Sequence, residues 1–506
     1  MPPRLYSYLL PLVLFTGALS AESPELPLKV AIASALEHNI GLRIAAYEPA
    51  NARDSVEIED AQFDPSFFAN TSIARGQSAL SSSSETDSRA ASIGVDQRLA
   101  TGATVTLDSD LSRSSSNSTG LNPDYGADVG LSIRQPLLKD AGATVNLAPL
   151  ARAKVNAERS LYELRSDVLD LVLATEIAYW NLAYARADRA LIASSLALAE
   201  NLREENVERE RLGLVTPLEV LQAEAEVLNQ QESVIQADNV IADAEDTLRR
   251  VMGLSDFLET ITDDVIVSAL PEQMEPLRPI DVVVKDTVLN DIDAKVQERL
   301  IEVQRINHML AQEDTRPDLD LTGGLSYLGR EETGSRAYRG VSDADGYAWS
   351  LGLEVSVPWG FREARARARQ AERSVEQATW QLYDIKQEKA LAARNAWRSA
   401  STGLKRIEVT RAAMILNEEA FEQERARYGS GLVAYRSVLE AQRDYDRAKS
   451  NYLGSLIETL RASVRLSRVD GTLLQRNGLD WDAVEPYTQL NSPTVELDAS
   501  LLNNTP

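Results

Sequence analysis

The sequence predicts an α+β membrane protein: long antiparallel α-helical coiled-coil hairpins combined with amphipathic strands, two or more per structural repeat. Three observations carry that expectation. Residues 151–212 contain neither Gly nor Pro and keep a seam of small and apolar residues, from Leu161 through Leu164, Val168, Leu171, Thr175, Ala178 and Leu182 to Ala185, at alternating spacings of three and four. That is the heptad pattern of helices that pack side by side along their length. Runs of alternating apolar and polar residues precede each long helical stretch, at the period of a half-buried strand. The whole pattern is also written twice. GLVTPLEVLQAEAEV from Gly213 and GLVAYRSVLEAQRDY from Gly431 agree at six of fifteen positions, at a constant offset of 218.

Each element follows in chain order. The first residues, MPPRLYSYLLPLVLFTGALSAES, carry one Arg, an apolar stretch too short to span a bilayer, and then small residues. That order is expected of an export signal over 1–21. The first repeat, 22–253, is expected to open with a helix at LKVAIASAL, continue through strands within 65–137, and end in a helical hairpin over 143–253. Its strand candidates centre on Phe67 to Ile73, Ile93 to Leu99, Ala103 to Leu111 and Val129 to Ile133, with a turn at Thr101-Gly102. The Ser-rich stretches 81–84 and 112–118 read as exposed loops. Pro271, Pro276 and Pro279 punctuate a linker over 254–277 and the residues just after it. The second repeat, 278–470, has an opening helix at IDVVVKDTV, strands within 318–358 joined by a polar Gly/Arg/Asp loop, and a hairpin over 361–470. A polar tail, 471–506, reads as surface chain.

Composition excludes several classes. The 506 residues hold 77 Asp+Glu against 52 Lys+Arg, a net charge of −25, which opposes nucleic acid as a partner. There is no Cys and there are only two His, so thiol chemistry, disulfides and a His-rich metal centre are out. No Gly-rich phosphate loop precedes a helix, and no catalytic constellation stands out among the acids of the helical faces. The reading is therefore not an enzyme, with no catalytic, cofactor or metal residues.

Strand number leads to assembly. Two strands per repeat, or an extra pair in the first, give four or six per chain; neither closes a barrel. An open sheet in lipid leaves backbone groups unmet at several kcal/mol each. Three copies would supply twelve or eighteen strands and twelve long helices, enough to surround a channel.

The residues at this point resemble the TolC-like outer membrane efflux proteins. The likeness spans nearly all of the mature chain and is carried by RYGSGLVAYRSVLEAQRDY from Arg427, RLGLVTPLEVLQAEAEV from Arg211, IRQPLLKDAG from Ile133 and LEHNIGLRIAAYE from Leu36. It implies a homotrimer with a β-barrel among outer membrane lipids and a helical tunnel in the periplasm. The tunnel would be closed at its tip until a periplasmic adaptor and an inner-membrane pump, of the RND, ABC or a similar class, dock. The exported substrate would be a small molecule or a polypeptide.

The resemblance also assigns roles. Glu440 takes one acidic position of the tunnel's narrow end, and Ser437 stands where some members carry Asp. Tyr428 and Glu219 match a latch between neighbouring hairpins, with Val433 where some members add an Arg. Gly213, Leu214, Val215, Gly431, Leu432 and Val433 match the adaptor contact; an exposed Leu-Val at a tight turn also reads as a covered surface on its own terms. Arg362, Arg365, Arg367 and Arg369, in the first turns of a helix, suit solvated charge or anionic groups at a membrane face. The rival of another class is a secreted or periplasmic coiled-coil structural or adhesin stalk without channel activity, which explains the heptads but not the strands.

Overall fold

The computed structural model describes residues 25–77, 85–116, 123–254, 265–271, 273–481 and 484. The export signal, the loop at 81–84 and the tail beyond 484 lie outside the described residues.

The described chain runs α1 (Leu28–His38), α2 (Ile40–Ala45), α3 (Tyr47–Asp60), β1 (Ser66–Gln77), β2 (Glu85–Arg98), β3 (Thr104–Ser116), β4 (Asp124–Pro136), α4 (Ala143–Asn146), α5 (Ala148–Arg211) and α6 (Pro217–Met252). It continues with α7 (Ile280–Asn290), α8 (Ile292–Glu313), β5 (Asp318–Glu331), α9 (Gly334–Ser342), β6 (Gly346–Ser356), α10 (Arg362–Gly429), α11 (Tyr435–Val469) and α12 (Leu473–Arg476). At ~1.5 Å per residue, the 64 residues of α5 extend about 96 Å. The seam of α5 is buried as its spacing requires at Leu164, Val168, Thr175, Ala178, Leu182 and Ala185, whereas Leu161 stays exposed.

Two compact units share these elements. One contains α1, α6, residues 174–211 of α5, 402–429 of α10 and 435–461 of α11. Its core joins Ala31 of α1 to Tyr179 and Leu182 of α5 and Leu248 of α6. The Tyr179 hydroxyl donates to the Leu26 carbonyl at 2.7 Å and accepts from the Ser268 amide at 2.8 Å. The linker is thereby tied to the start of the chain.

The other unit holds all six strands. They form one antiparallel meander in the order β1-β2-β3-β4-β5-β6. The Thr101-Gly102 turn forms as expected: Leu99 donates to the Ala103 carbonyl at 2.7 Å and Gly102 to that of Leu99 at 2.8 Å. Three readings need correction. Residues 112–116 continue β3 instead of looping, because their backbone pairs with β2 and, up to Ser114, with β4. The connection between β5 and β6 is not plain loop but contains α9. The tail begins inside the fold: Leu473, Leu474 and Val484 are buried, and Arg476 donates to the Ser463 hydroxyl at 3.0 Å.

Candidate functional site

Two regions are candidates for function: the hairpin tips and the sheet. Both tips are built by the same local rule. Gly213 and Gly431 adopt φ of +75° and +71°, the left-handed conformation that lets an α-helix stop within one residue. Leu214 then donates to the Arg209 carbonyl, and Leu432 to the Arg427 carbonyl, each at 2.9 Å. Both turns leave a leucine in water: Leu214 is 71% and Leu432 72% exposed. Val215 and Val433 are half-buried, and Val433 packs on an aromatic cluster.

That cluster lies behind the second tip. Tyr428, Tyr435, Val438, Tyr445 and Phe421 are buried with Leu202 and Ala223. The Tyr428 ring centroid is 5.9 Å from that of Tyr435, and the Phe421 and Tyr445 rings stack at 6.0 Å. The Arg209 guanidinium lies 4.3 Å from the Tyr428 ring centroid and donates to the Tyr428 carbonyl at 3.1 Å. The Tyr428 hydroxyl donates to Asn206 Oδ1. Arg443 reaches the buried Glu226 carboxylate at 2.7 Å, and Ser195 donates to Asp446 at 2.8 Å. Burial raises the Tyr428 phenol, with the Arg209 charge opposing, and pushes Tyr435 up to about 12. Burial likewise raises the Asp446 carboxyl, against the Ser195 hydrogen bond.

The structure brings together some of the expected residues and not others. Tyr428 is central, but its hydroxyl partner within the chain is Asn206 rather than Glu219, which acts on it only through charge. The reason is placement: Asn206 is fully buried on α5, whereas Glu219 is half-exposed. Glu440 is exposed and pairs with Arg436 at 2.9 Å, and Ser437 is half-buried. Arg362, Arg365, Arg367 and Arg369 are all exposed, with Arg367 on Glu363 at 2.6 Å. Sequence reasoning missed Asn206, Arg209, Tyr435 and the Glu226–Arg443 pair. The available signal was a tyrosine directly after GLVA, where the first hairpin has proline.

On the sheet, Phe67, Val95, Leu107, Leu131, Leu325 and Trp349 stand opposite one another in turn, one unbroken apolar row across all six strands. The next row toward the strand loops ends in the aromatic pair Tyr327 and Tyr347. The opposite face is mostly polar, rich in Ser, Thr, Gly and Asp: Asp96 faces Thr106, Thr106 faces Ser132 and Asp108 faces Gly130. There Asp108, Asp110 and Asp128 place carboxylate oxygens within 4.8 Å of one another, the one cluster of three such acids among the described residues. Strands of 11–14 residues are long enough to cross a bilayer, which takes ~9–11 when tilted. One apolar and one polar face is the pattern of a barrel between lipid and water. No helix among the described residues is long and apolar enough to cross a membrane.

The family profile described as "Outer membrane efflux protein" matches residues 31–254 and 285–472. The chain belongs to the outer membrane efflux protein family. Membership places it among transport channels rather than enzymes. Solved structures agree on the fold. The outer-membrane channel OprN has a TM-score of 0.68 at 19% identity, over 88% of this chain and 90% of its own. CusC gives 0.65 at 16%, over 88% and 91%. The CmeC outer membrane channel of Campylobacter jejuni gives 0.65 at 17%, over 90% of each chain. No curated protein sequence matches. This outer membrane efflux protein therefore has the helical-tunnel-and-barrel fold of the family, with the stalk reading left no place for its sheet.

Proposed function

We propose that three copies of this chain form an outer-membrane conduit that exports substrates delivered by an inner-membrane pump through a periplasmic adaptor. The observation that carries the reading is the open sheet. Its end strands β1 and β6 each pair on one side only among the described residues. Unpaired edges are not tolerated in lipid, so the edges must meet those of other copies. Three six-stranded sheets close eighteen strands, within the range of aqueous membrane barrels. The apolar row then faces lipid and the Ser/Thr/Asp face lines a wet lumen. Cargo is a small molecule or a polypeptide.

The hairpin tips form the resting closure in this reading. Leu214 and Leu432, with Gly213, Val215, Gly431 and Val433, give the adaptor an apolar foothold that folding leaves uncovered. Tyr428, supported by Asn206 and Arg209 and near Glu219, holds the second tip inward. Glu440 and Ser437 lie beside it, where threefold repetition of a carboxylate favours cations.

Light scattering of the detergent-solubilised protein tests the assembly, with conductance in planar bilayers as the functional readout. Three chains per particle and discrete channels are expected. A single chain, stable in buffer without detergent, would falsify the reading.

A further inference from the structure

The connection holding α9 is not accounted for by a conduit. α9 docks on the sheet, and the atoms it touches say on which side. A Cβ on Gly329 would fall 1.9 Å from the Ala337 carbonyl oxygen, and one on Gly340 would lie 3.3 Å from the Gly329 Cα, so two glycines permit the approach. Gly334 sits over Leu111 and Tyr125, and the Tyr338 hydroxyl meets that of Ser109 at 3.0 Å. Gly329, Leu111, Tyr125 and Ser109 all share the face of Leu107, Leu131 and Leu325. The helix thus lies on the apolar side of the sheet.

Its flanks differ. Ala337 and Gly340 are buried against the strands. Tyr338 reaches Ser109, one row nearer the apolar band than Leu111. Arg336 and Arg339, three residues apart, occupy the other flank and are exposed. Neither side chain has a hydrogen-bond or ion-pair partner among the described residues.

More positive charge lies alongside, on the same face and just beyond the band. Arg113 and Arg89 are direct cross-strand neighbours. Like charges opposite one another repel. Asp87 offsets Arg89 at 3.4 Å. Arg113 rests 5.9 Å from the Tyr125 ring centroid, and its Nε is buried with no acceptor. An arginine pair of this kind accepts an anion to its advantage, and guanidinium binds phosphate through two parallel hydrogen bonds. Tyrosines at the edge of an apolar band mark the bilayer interface, where headgroups lie.

We propose that α9 and its neighbouring arginines, Arg89, Arg113, Arg336 and Arg339, bind the phosphates of anionic lipid headgroups at the loop end of the barrel. The proposal rests on the reading of the sheet as part of an outer-membrane barrel and adds a ligand class to it.

The full-length protein, in neutral detergent and in liposomes, provides the test. Retained lipid is counted by native mass spectrometry after mixing with phosphatidylcholine, phosphatidylglycerol or bis-phosphorylated lipid A. Wild type is expected to hold the two anionic lipids in preference to phosphatidylcholine. The Arg336→Gln/Arg339→Gln variant is expected to hold them roughly tenfold more weakly, since each surface cation near an anionic headgroup contributes severalfold. The double lysine variant should retain most of the binding, and all three should assemble alike. Equal retention by wild type and the Gln variant, or no preference over phosphatidylcholine, overturns the proposal while leaving the barrel intact. Inorganic phosphate binding as tightly as lipid assigns the site to a free anion and overturns the lipid reading. Failure of wild type to enter phosphatidylcholine liposomes at all overturns the barrel reading, and this one with it.

Discussion

The two hairpin tips share one backbone and differ in what lies behind it. Gly213 and Gly431 take the same left-handed turn, closed by equivalent hydrogen bonds; the first turn exposes Leu212 and Leu214, the second Leu432. At the offset that aligns them, however, Tyr428 answers Glu210, Tyr435 answers Pro217, Tyr445 answers Val227 and Phe421 answers Arg203. The first tip is an ordinary helix-turn-helix with charged shoulders. The second carries buried phenols, against which α5 of the first hairpin sets the Arg209 guanidinium and the buried Asn206. The turn is what the fold requires of each hairpin. The aromatic cluster is an addition to one of them.

The largest test of that difference is truncation. Tyr435→Ala should cost about 3–5 kcal/mol, the usual cost of emptying an aromatic core site. Pro217→Ala, its counterpart, should stay within about 0.5 kcal/mol because it is exposed. Hydrogen exchange of amides near each tip reads both, and equal loss of protection would erase the distinction drawn here. Removal of one hydroxyl comes next. Tyr428→Phe leaves the Asn206 carbonyl oxygen buried without its donor, at about 1–3 kcal/mol. The same variant should raise the resting conductance in bilayers, and Glu210→Ala should not. A backbone test sharpens the shared part. Gly213→Ala and Gly431→Ala each meet nothing within 4 Å. Only the positive φ is penalised, at about 1–2 kcal/mol, and equally at both tips.

Alkaline pH gives a smaller, directional test. The Tyr435 phenol is raised from 10.0 to about 12 by burial. A folded value above the unfolded one means that stability is fully present below pH 10 and is lost as pH climbs toward 12. Exchange at the second tip should therefore quicken in that window before exchange at the first. Tyr435→Phe should abolish the difference. The smallest effect is expected of Glu440→Gln, whose exposed pair with Arg436 contributes at most a few tenths of a kcal/mol. Its signature should be in cation preference measured from reversal potentials, with stability unchanged.

Legibility followed the range of the interaction. The heptads over 151–212, the Gly-Leu-Val turns and the strand alternation from Trp349 to Val357, within the expected 318–358, are local patterns; the last became β6 (Gly346–Ser356). The Thr101-Gly102 turn was readable for the same reason. α9 was missed because nine residues containing two glycines and two serines carry little helical preference; docking on Gly329 supplies what propensity lacks. Residues 112–116 look like loop by composition, yet their backbone groups are claimed by strands on both sides.

The sequence by itself determined the periods: where helices run, where they must turn back, and that one face of the strands is apolar. Those follow from the geometry of 3.6 and 2 residues per repeat acting on neighbours in the chain. Only the tertiary structure decided the partners. Asn206 took the Tyr428 hydroxyl, Arg209 took its ring, and Arg113 came to stand opposite Arg89. Such pairings depend on the register between elements distant in sequence, which a local period leaves free and packing alone fixes.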